Sequence, residues 1–197
     1  FRSQNVFPGA VLLCAKNKQI VYHKAFGCSD LFTCQPMEKD SIFDLASLTK
    51  PLATTLVTLK LIQLGKLDLH QPVSSVLEPF AASDKGQITI DMLLRHTSGY
   101  PAHQPYYETL TSSQQPARQL LRSLLLNQPL ENPVGTCQLY SDLGFMLLAW
   151  VVETVAGQRL DQAVTELVYR PLAIEHLFFI DLRKKEALSH AMRSKLV

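Results

Sequence analysis

The first patterned segment of the chain alternates in the manner of β-strands. Residues 9–26 read GAVLLCAKNKQIVYHKAF, two runs rich in β-branched and aromatic residues around the polar pair Asn17-Lys18. This pattern predicts a β-hairpin. A single hairpin is not stable alone in water, so it either lies against helices or belongs to a sheet whose further strands are not in this sequence.

From Ser47 onward the spacing of apolar residues becomes helical. Leucines 48, 52, 56 and 59 and isoleucine 62 are three or four residues apart, which predicts one apolar helix face. Gly65 is placed to end this helix. Further helices are predicted at 90–95 with Thr89 as N-cap, 117–127, 143–156 with Gly157 as the stop, and 160–169. The segment 100–116 contains three prolines and predicts a long surface loop.

Composition and charge narrow the class of protein. Of 197 residues, 47% are hydrophobic and 18% charged, enough apolar material for a core. Nineteen basic and 17 acidic residues leave a formal charge of +2, so a nucleic-acid partner is not expected. The apolar run 145–152 has eight residues, whereas a membrane span needs about 20. We therefore expect no membrane-spanning segment.

Metal and cofactor signatures are missing from the sequence. The four cysteines (Cys14, Cys28, Cys34 and Cys137) form neither a zinc pattern nor a dense disulfide scaffold, and they are interpreted as small buried side chains. No H-E-x-x-H, P-loop or G-x-G-x-x-G pattern occurs. No metal or cofactor is expected.

The tetrapeptide Ser47-Leu48-Thr49-Lys50 is the strongest candidate for chemistry. Residues three apart are neighbours on a helix, so the Lys50 amine can reach the Ser47 hydroxyl and activate it as a nucleophile. Pro51 cannot donate to the carbonyl of Ser47, which puts the serine at the start of the helix. The alternative is that Ser47 is a plain N-cap and Lys50 a solvated lysine.

A second candidate, Tyr140-Ser141-Asp142, precedes an apolar helix. Functionally, the Tyr140 phenol is a proton partner for Ser47 and Lys50, with Asp142 as acceptor or lysine partner. Structurally, Ser141 or Asp142 caps the helix. His96, in the turn His96-Thr97-Ser98-Gly99, is interpreted as shaping a loop near the site rather than as a catalytic base. The other histidines, His103 included, are interpreted as surface residues.

Three strings, SLTKP, LLRHTSGYP and LYSDLGFMLL, in this order, resemble the serine β-lactamase and penicillin-binding-protein superfamily. Within it the chain resembles the branch of class C β-lactamases, D-alanyl-D-alanine carboxypeptidases and esterases. The resemblance implies an α+β, β-lactamase/transpeptidase-like fold, with a partial antiparallel sheet and a mostly helical domain. The implied domains are an incomplete β part at 1–45, the helical domain at 46–180, and a return to the β part at 181–197.

The resemblance also implies roles at matching positions. Ser47 is the implied nucleophile, Lys50 its general base, and Tyr140 the residue that passes a proton to the leaving group. Asp142 stands where the family usually carries Asn, and its charge is expected to raise the pKa of Lys50. The family's third motif, K-[ST]-G or H-x-G, does not occur after Asp142. A longer parent protein is therefore expected.

Together these observations predict a serine hydrolase that forms an acyl-enzyme on a small ester, amide or peptide. The alternative is a non-catalytic relative that binds peptidoglycan or a peptide in the same cleft.

Overall fold

The computed structural model describes residues 7–30 and 32–180. It divides into two compact units. One contains the described residues up to Ala46 together with Phe179 and Ile180, and the other is Ser47–Phe178. The segment 181–197, predicted as the return to the β part, lies outside the described residues.

The predicted hairpin is present in the first unit. Strands β1 (Gly9–Lys16) and β2 (Gln19–Gly27) pair antiparallel. At the turn, Asn17 has φ 51° and Lys18 has φ 64°, both left-handed. Two left-handed residues give a turn whose twist matches that of the strands it joins, which explains the tight connection. These two strands form the sheet found among the described residues.

The helical segment that begins near Ser47 has three kinds of winding. A 3-10 turn at Ala46–Leu48 is followed by a π-helix at Lys50–Thr55 and then by α1 (Leu56–Gln63). An α-helical bond from residue 51 back to Ser47 is impossible because Pro51 has no N–H. The chain therefore starts in a tight turn and continues in the wider π winding. Gly65, at φ 67°, ends the segment as predicted, and its N–H donates to the Ile62 carbonyl.

The prediction of the apolar face of this segment was wrong in part: Leu56 and Ile62 pack against the core, but two of the predicted leucines are exposed. Leu48 is 55% exposed and Leu59 is 47% exposed, whereas Ala53, Val57 and Leu61 are buried. The π-helical stretch has more residues per turn than an α-helix, so a face counted at α-helical spacing rotates away from the core.

The second unit contains the remaining helices. They are α2 (Ile90–Leu94), α3 (Tyr106–Ser112), α4 (Ala117–Asn127), α5 (Asp142–Ala156) and α6 (Leu160–Val164), the last continued by a π-helix at Thr165–Tyr169. The predicted caps are confirmed: the Thr89 side chain accepts from the N–H of Met92, and Gly157 ends α5 at φ 67°.

The prediction of a surface loop over 100–116 was wrong in part, since α3 forms within it. Tyr100 is 1% exposed and its hydroxyl donates to the Leu125 carbonyl at 2.7 Å. The Tyr106 hydroxyl donates to Gln128 at 2.7 Å. Both aromatic rings bury apolar area while their hydroxyls keep a hydrogen bond, which draws this segment onto the helical core.

Helix α5 is the centre of that core. Five of its side chains are fully buried: Leu143, Leu147, Leu148, Val151 and Val152. Removing such a side chain costs about 2–5 kcal/mol. Because α5 begins at Asp142, its packing fixes the position of one predicted site residue.

The helices of the described residues also bear on the expectation about membrane-spanning segments. Within residues 7–30 and 32–180, no single helix is long and apolar enough to cross a membrane; α5 with the helical run from Leu160 to Tyr169 passes such a test only as a pair bent by 70°.

The prediction of four buried cysteines was wrong for Cys14, Cys34 and Cys137, which are exposed; Cys28 is buried. Cys14 lies on the hairpin, and Cys34 and Cys137 lie in irregular segments that follow turns, where a small side chain is not enclosed.

Candidate active site

Ser47 and Lys50 lie together at the start of the first helical segment. The Lys50 amine is 3.4 Å from the Ser47 hydroxyl. Ser47 is exposed, whereas the Lys50 side chain is 15% exposed. The serine is thus open to a substrate while the lysine beside it is largely enclosed.

Asp142, 92 residues further along the chain, meets the same lysine. Its Oδ1 accepts from the Lys50 amine at 2.6 Å. Asp142 is in the first turn of α5, where a negative charge is favoured by the helix dipole. The predicted pairing of this carboxylate with Lys50 is therefore present as a short ion pair.

Tyr140 completes the group from the loop before α5. Its hydroxyl interacts with Ser47 and with Lys50, and these interactions lower its pKa. The Lys50 ammonium lies 4.9 Å from the centre of the Tyr140 ring, within cation–π range. The structure therefore brings Ser47, Lys50, Tyr140 and Asp142 into one cluster.

The charges of this cluster are strongly coupled. Burial by itself would lower the pKa of Lys50, but hydrogen bonds with Asp142 and Tyr140 outweigh it and raise that pKa. Hydrogen bonds with Ser47 and Lys50 lower the pKa of the Tyr140 hydroxyl. The bond with Lys50 also holds the pKa of Asp142 below its usual value. Because the pKa of Lys50 depends on Tyr140 and the pKa of Tyr140 depends on Lys50, the two groups titrate as a pair rather than independently.

A hydrogen-bonded ladder positions Tyr140 and Asp142. The segment 96–102 runs beside the segment 131–142, and backbone carbonyls of the first accept N–H groups of the second. The bonds are Glu131 to Gly99, Gly135 to Thr97, Leu139 to His96 and Asp142 to Ala102, each at 2.8 Å. The ladder requires Gly99: its φ is 84°, and a Cβ there would lie 2.3 Å from the Asn132 carbonyl oxygen.

Ser141 connects the end of these paired segments to the first turn of α5. It is 1% exposed, and its hydroxyl donates to the Pro101 carbonyl at 2.6 Å. The same oxygen accepts the N–H of Gly144 at 3.0 Å and so caps the helix. Ser141 is therefore the cap, which leaves the Asp142 carboxylate available to Lys50.

Replacing Ser141 with alanine is expected to lower the free energy of unfolding by about 1–3 kcal/mol, because a cap is lost and the buried Pro101 carbonyl loses its donor. Chemical denaturation measures this change. Ser112→Ala is the control, since that exposed hydroxyl donates to the Glu108 carbonyl inside α3. Equal effects of the two substitutions would contradict the role given to Ser141.

Two histidines contact the cluster. The Nδ1 atom of His96 accepts the N–H of Ser141 at 3.0 Å. The Nδ1 atom of His103 lies 3.3 Å from Oδ2 of Asp142, opposite the lysine. The turn containing His96 signalled a loop near the site. Nothing in the sequence around His103 signalled its contact, and its interpretation as a surface residue is incomplete, since it is exposed but paired.

No metal-binding arrangement accompanies the cluster in the described part of the chain. Residues 7–30 and 32–180 contain no group of three or more His, Cys, Asp or Glu side chains placed to hold an ion.

Comparison with solved structures defines the class of fold. The chain superimposes over its whole length on 51% of a class C β-lactamase, with a TM-score of 0.81 and 21% identity, which shows the β-lactamase/transpeptidase fold. The α+β architecture expected above is confirmed. The profile of the Beta-lactamase family matches residues 1–195, and the chain belongs to that family.

Two relatives are more similar in sequence. A putative D-alanyl-D-alanine carboxypeptidase of Escherichia coli O157:H7 is 35% identical over 195 residues, covering 90% of this chain and 44% of the relative. The solved structure of EstCE1, a hydrolase with promiscuous acyltransferase activity, is 33% identical, with a TM-score of 0.70 over 84% of this chain and 47% of that one. The chain thus spans less than half the length of either relative.

Proposed function

We propose that the protein is a serine hydrolase that forms an acyl-enzyme at Ser47 on an ester or amide. The contact of Ser47, Lys50 and Tyr140 at a helix start carries this proposal. A serine becomes a nucleophile only when a neighbouring group takes its proton, and here two such groups reach the same hydroxyl.

The steps follow from the coupled pair. The Ser47 oxygen attacks the substrate carbonyl while its proton passes to the Lys50–Tyr140 pair, which must first have lost one proton of its own. The backbone N–H of Ser47, at the start of a helix, donates to the negative oxygen that forms. Tyr140 then gives a proton to the leaving alcohol or amine as the carbonyl re-forms. Attack by water through the same pair releases the acid and restores Ser47.

Asp142 bears on the kind of substrate. Asp142 holds Lys50 in its ammonium form. At neutral pH, only a small fraction of the Lys50–Tyr140 pairs can therefore accept a proton. Slow proton removal is tolerated best by substrates with reactive carbonyls or extensive binding contacts. An ester, or a peptide of the kind named for the carboxypeptidase relative that makes such contacts, therefore fits the site. Rapid turnover of β-lactam antibiotics is not expected despite their reactive carbonyl, because the acyl-enzyme must also be hydrolysed through the same weak base.

The proposal is tested by intact mass spectrometry of the full-length protein, before and after treatment with a fluorophosphonate and, separately, with a penicillin. The expected result is one fluorophosphonate adduct, mapped by proteolysis to the peptide containing Ser47. A penicillin adduct would extend the substrate range to β-lactams. An adduct on another residue, or none, would contradict the proposal.

The ion pair itself favours a second candidate, a binding protein without turnover. A lysine held by a carboxylate at 2.6 Å is a stable charged contact as well as a poor base. This candidate predicts saturable binding of a peptidoglycan fragment or peptide with no covalent adduct, so the labelling experiment separates the two.

Replacing Asp142 with asparagine is expected to speed acylation. Loss of the carboxylate removes the main influence that raises the pKa of Lys50, so the pKa falls and more of the amine is neutral at pH 7. We expect the pH–rate curve to move about one unit lower and the rate at pH 7 to rise about tenfold. Labelling rates measured from about pH 5 to about pH 9 check this.

Asp161→Asn is the matched control for that substitution, because Asp161 is also partly buried and paired, with Arg159 at 2.9 Å. An unmoved curve in Asp142→Asn would show that the carboxylate does not set the proton affinity of the pair.

A further inference from the structure

We propose that His96 is a positioning residue for acylation: its neutral ring holds Tyr140 and Ser141 in place, and protonation of the ring releases them. This inference rests on the proposed function, because it assigns a purpose to the position of Tyr140. It goes beyond the Ser47, Lys50, Tyr140 and Asp142 cluster, to which His96 does not belong.

The geometry of His96 ties it to three consecutive residues. Its backbone carbonyl accepts the N–H of Leu139 at 2.8 Å. Its ring lies against the ring of Tyr140, with centroids 4.6 Å apart. Its Nδ1 accepts the N–H of Ser141 at 3.0 Å. The His96 ring also packs against the ring of Phe145 in α5, with centroids 5.0 Å apart. Tyr140 is 52% exposed, so this ring is a principal support for it.

The bond with Ser141 requires one protonation state. A backbone N–H only donates, so Nδ1 must carry a lone pair and the proton of the neutral ring is on Nε2. In the cation both ring nitrogens carry hydrogen, and the Nδ1 hydrogen would face the Ser141 hydrogen. Protonation of His96 therefore removes the hydrogen bond that positions Ser141, the residue between Tyr140 and Asp142.

The charges around the ring favour the neutral form. Burial lowers the pKa of His96, the Lys50 charge lowers it further, and Asp142 acts in the opposite direction. The Tyr140 hydroxyl is the third titratable group beside it. The neighbouring Arg95 is paired with Asp91. A ring held neutral near pH 7 keeps its contact and loses it only in acid.

The backbone at His96 restricts which substitutions are informative. Its φ is 59°, in the left-handed region, where asparagine is among the best tolerated residues after glycine. The Asn side-chain oxygen sits as far from Cβ as Nδ1 does and also accepts a hydrogen bond. His96→Asn therefore keeps the acceptor and the backbone conformation but does not titrate. His96→Ala removes the acceptor.

The test compares labelling rates of wild type, His96→Asn and His96→Ala in the full-length protein, from about pH 4.5 to about pH 9. His70→Asn, at an exposed histidine, is the control. At pH 7 we expect a loss of about tenfold or more in His96→Ala and less than about fivefold in His96→Asn. In acid, the logarithm of the wild-type rate should rise with a slope steeper than one per pH unit, because protons leave both His96 and the catalytic pair.

In His96→Asn that slope should be one over the same range, because only the pair still titrates. A slope steeper than one retained in His96→Asn, or an equal loss in both variants at pH 7, would overturn the proposal. A merely structural role would lower the rate without changing the slope.

Nitrogen NMR of the histidine rings gives a readout that does not depend on activity. We expect His96 at pH 7 to carry its proton on Nε2, with Nδ1 unprotonated. A proton on Nδ1 would refute the bond with Ser141. If the wild type takes no label at any pH, the proposed function fails, and the NMR spectrum still decides the role of His96 in holding the loop.

Discussion

Replacing Ser47 with alanine is expected to abolish covalent labelling by a fluorophosphonate, a loss of at least about a thousandfold in rate. The only group removed is the hydroxyl that accepts from Lys50 and hydrogen-bonds with Tyr140. Ser47 is exposed, so its truncation leaves no cavity and the fold should be unchanged. Labelling followed by intact mass, with circular dichroism to verify folding, measures the effect.

Ser75→Ala is the matched control, since Ser75 is also an exposed serine in a short 3-10 turn. It is expected to label at the wild-type rate. Labelling that persists in folded Ser47→Ala would place the nucleophile elsewhere and end the proposed mechanism.

Replacing Tyr140 with phenylalanine is expected to slow acylation about 10²–10³-fold, within the range for loss of a proton-transfer group. Phenylalanine keeps the ring, and with it the stacking on His96 and the contact with the Lys50 ammonium. The substitution therefore removes the hydroxyl and its hydrogen bonds while leaving the supports of the loop in place. Labelling rates at several pH values measure the loss.

Tyr107→Phe is the control for this substitution, because Tyr107 is 61% exposed and lies on α3. The loss in Tyr140→Phe should be larger with a substrate whose leaving group is a poor one, such as an amide, than with an activated ester, since the hydroxyl also protonates the leaving group. A similar rate for Tyr140→Phe and wild type on both substrates would leave Lys50 as the sole proton carrier.

Features set by neighbours in sequence were predictable. The hairpin follows from the Asn17-Lys18 turn, and the start of α2 from Thr89, because turns and caps depend on a few adjacent residues. The reach of Lys50 to Ser47 is of the same kind, since a spacing of three brings two side chains together on a helical turn.

Features set by distant contacts or by unusual winding were not predictable from local pattern. Pro51 converts the first turns into a π-helix, and this left two of the expected leucines, Leu48 and Leu59, exposed. Helix α3 was not predicted because prolines surround it in the sequence. It forms because Tyr106 packs on the core. The pairing of Asp142 with Lys50, 92 residues away, was one of two alternatives that the residues left open for Asp142, and the resemblance to a known family favoured it. The pairing of Asp142 with His103 followed from neither source.

The N-cap of α5 couples the stability of the candidate site to the stability of the helical core. Tyr140 and Asp142 flank Ser141, whose hydroxyl joins α5, with its five fully buried side chains, to the Pro101 carbonyl. Amides in such a helix exchange with solvent only through large-scale opening, whereas surface loops open locally at little cost. Tyr140 and Asp142 thus share the cooperativity of the central helix, and denaturant should not displace them before the helical unit itself unfolds.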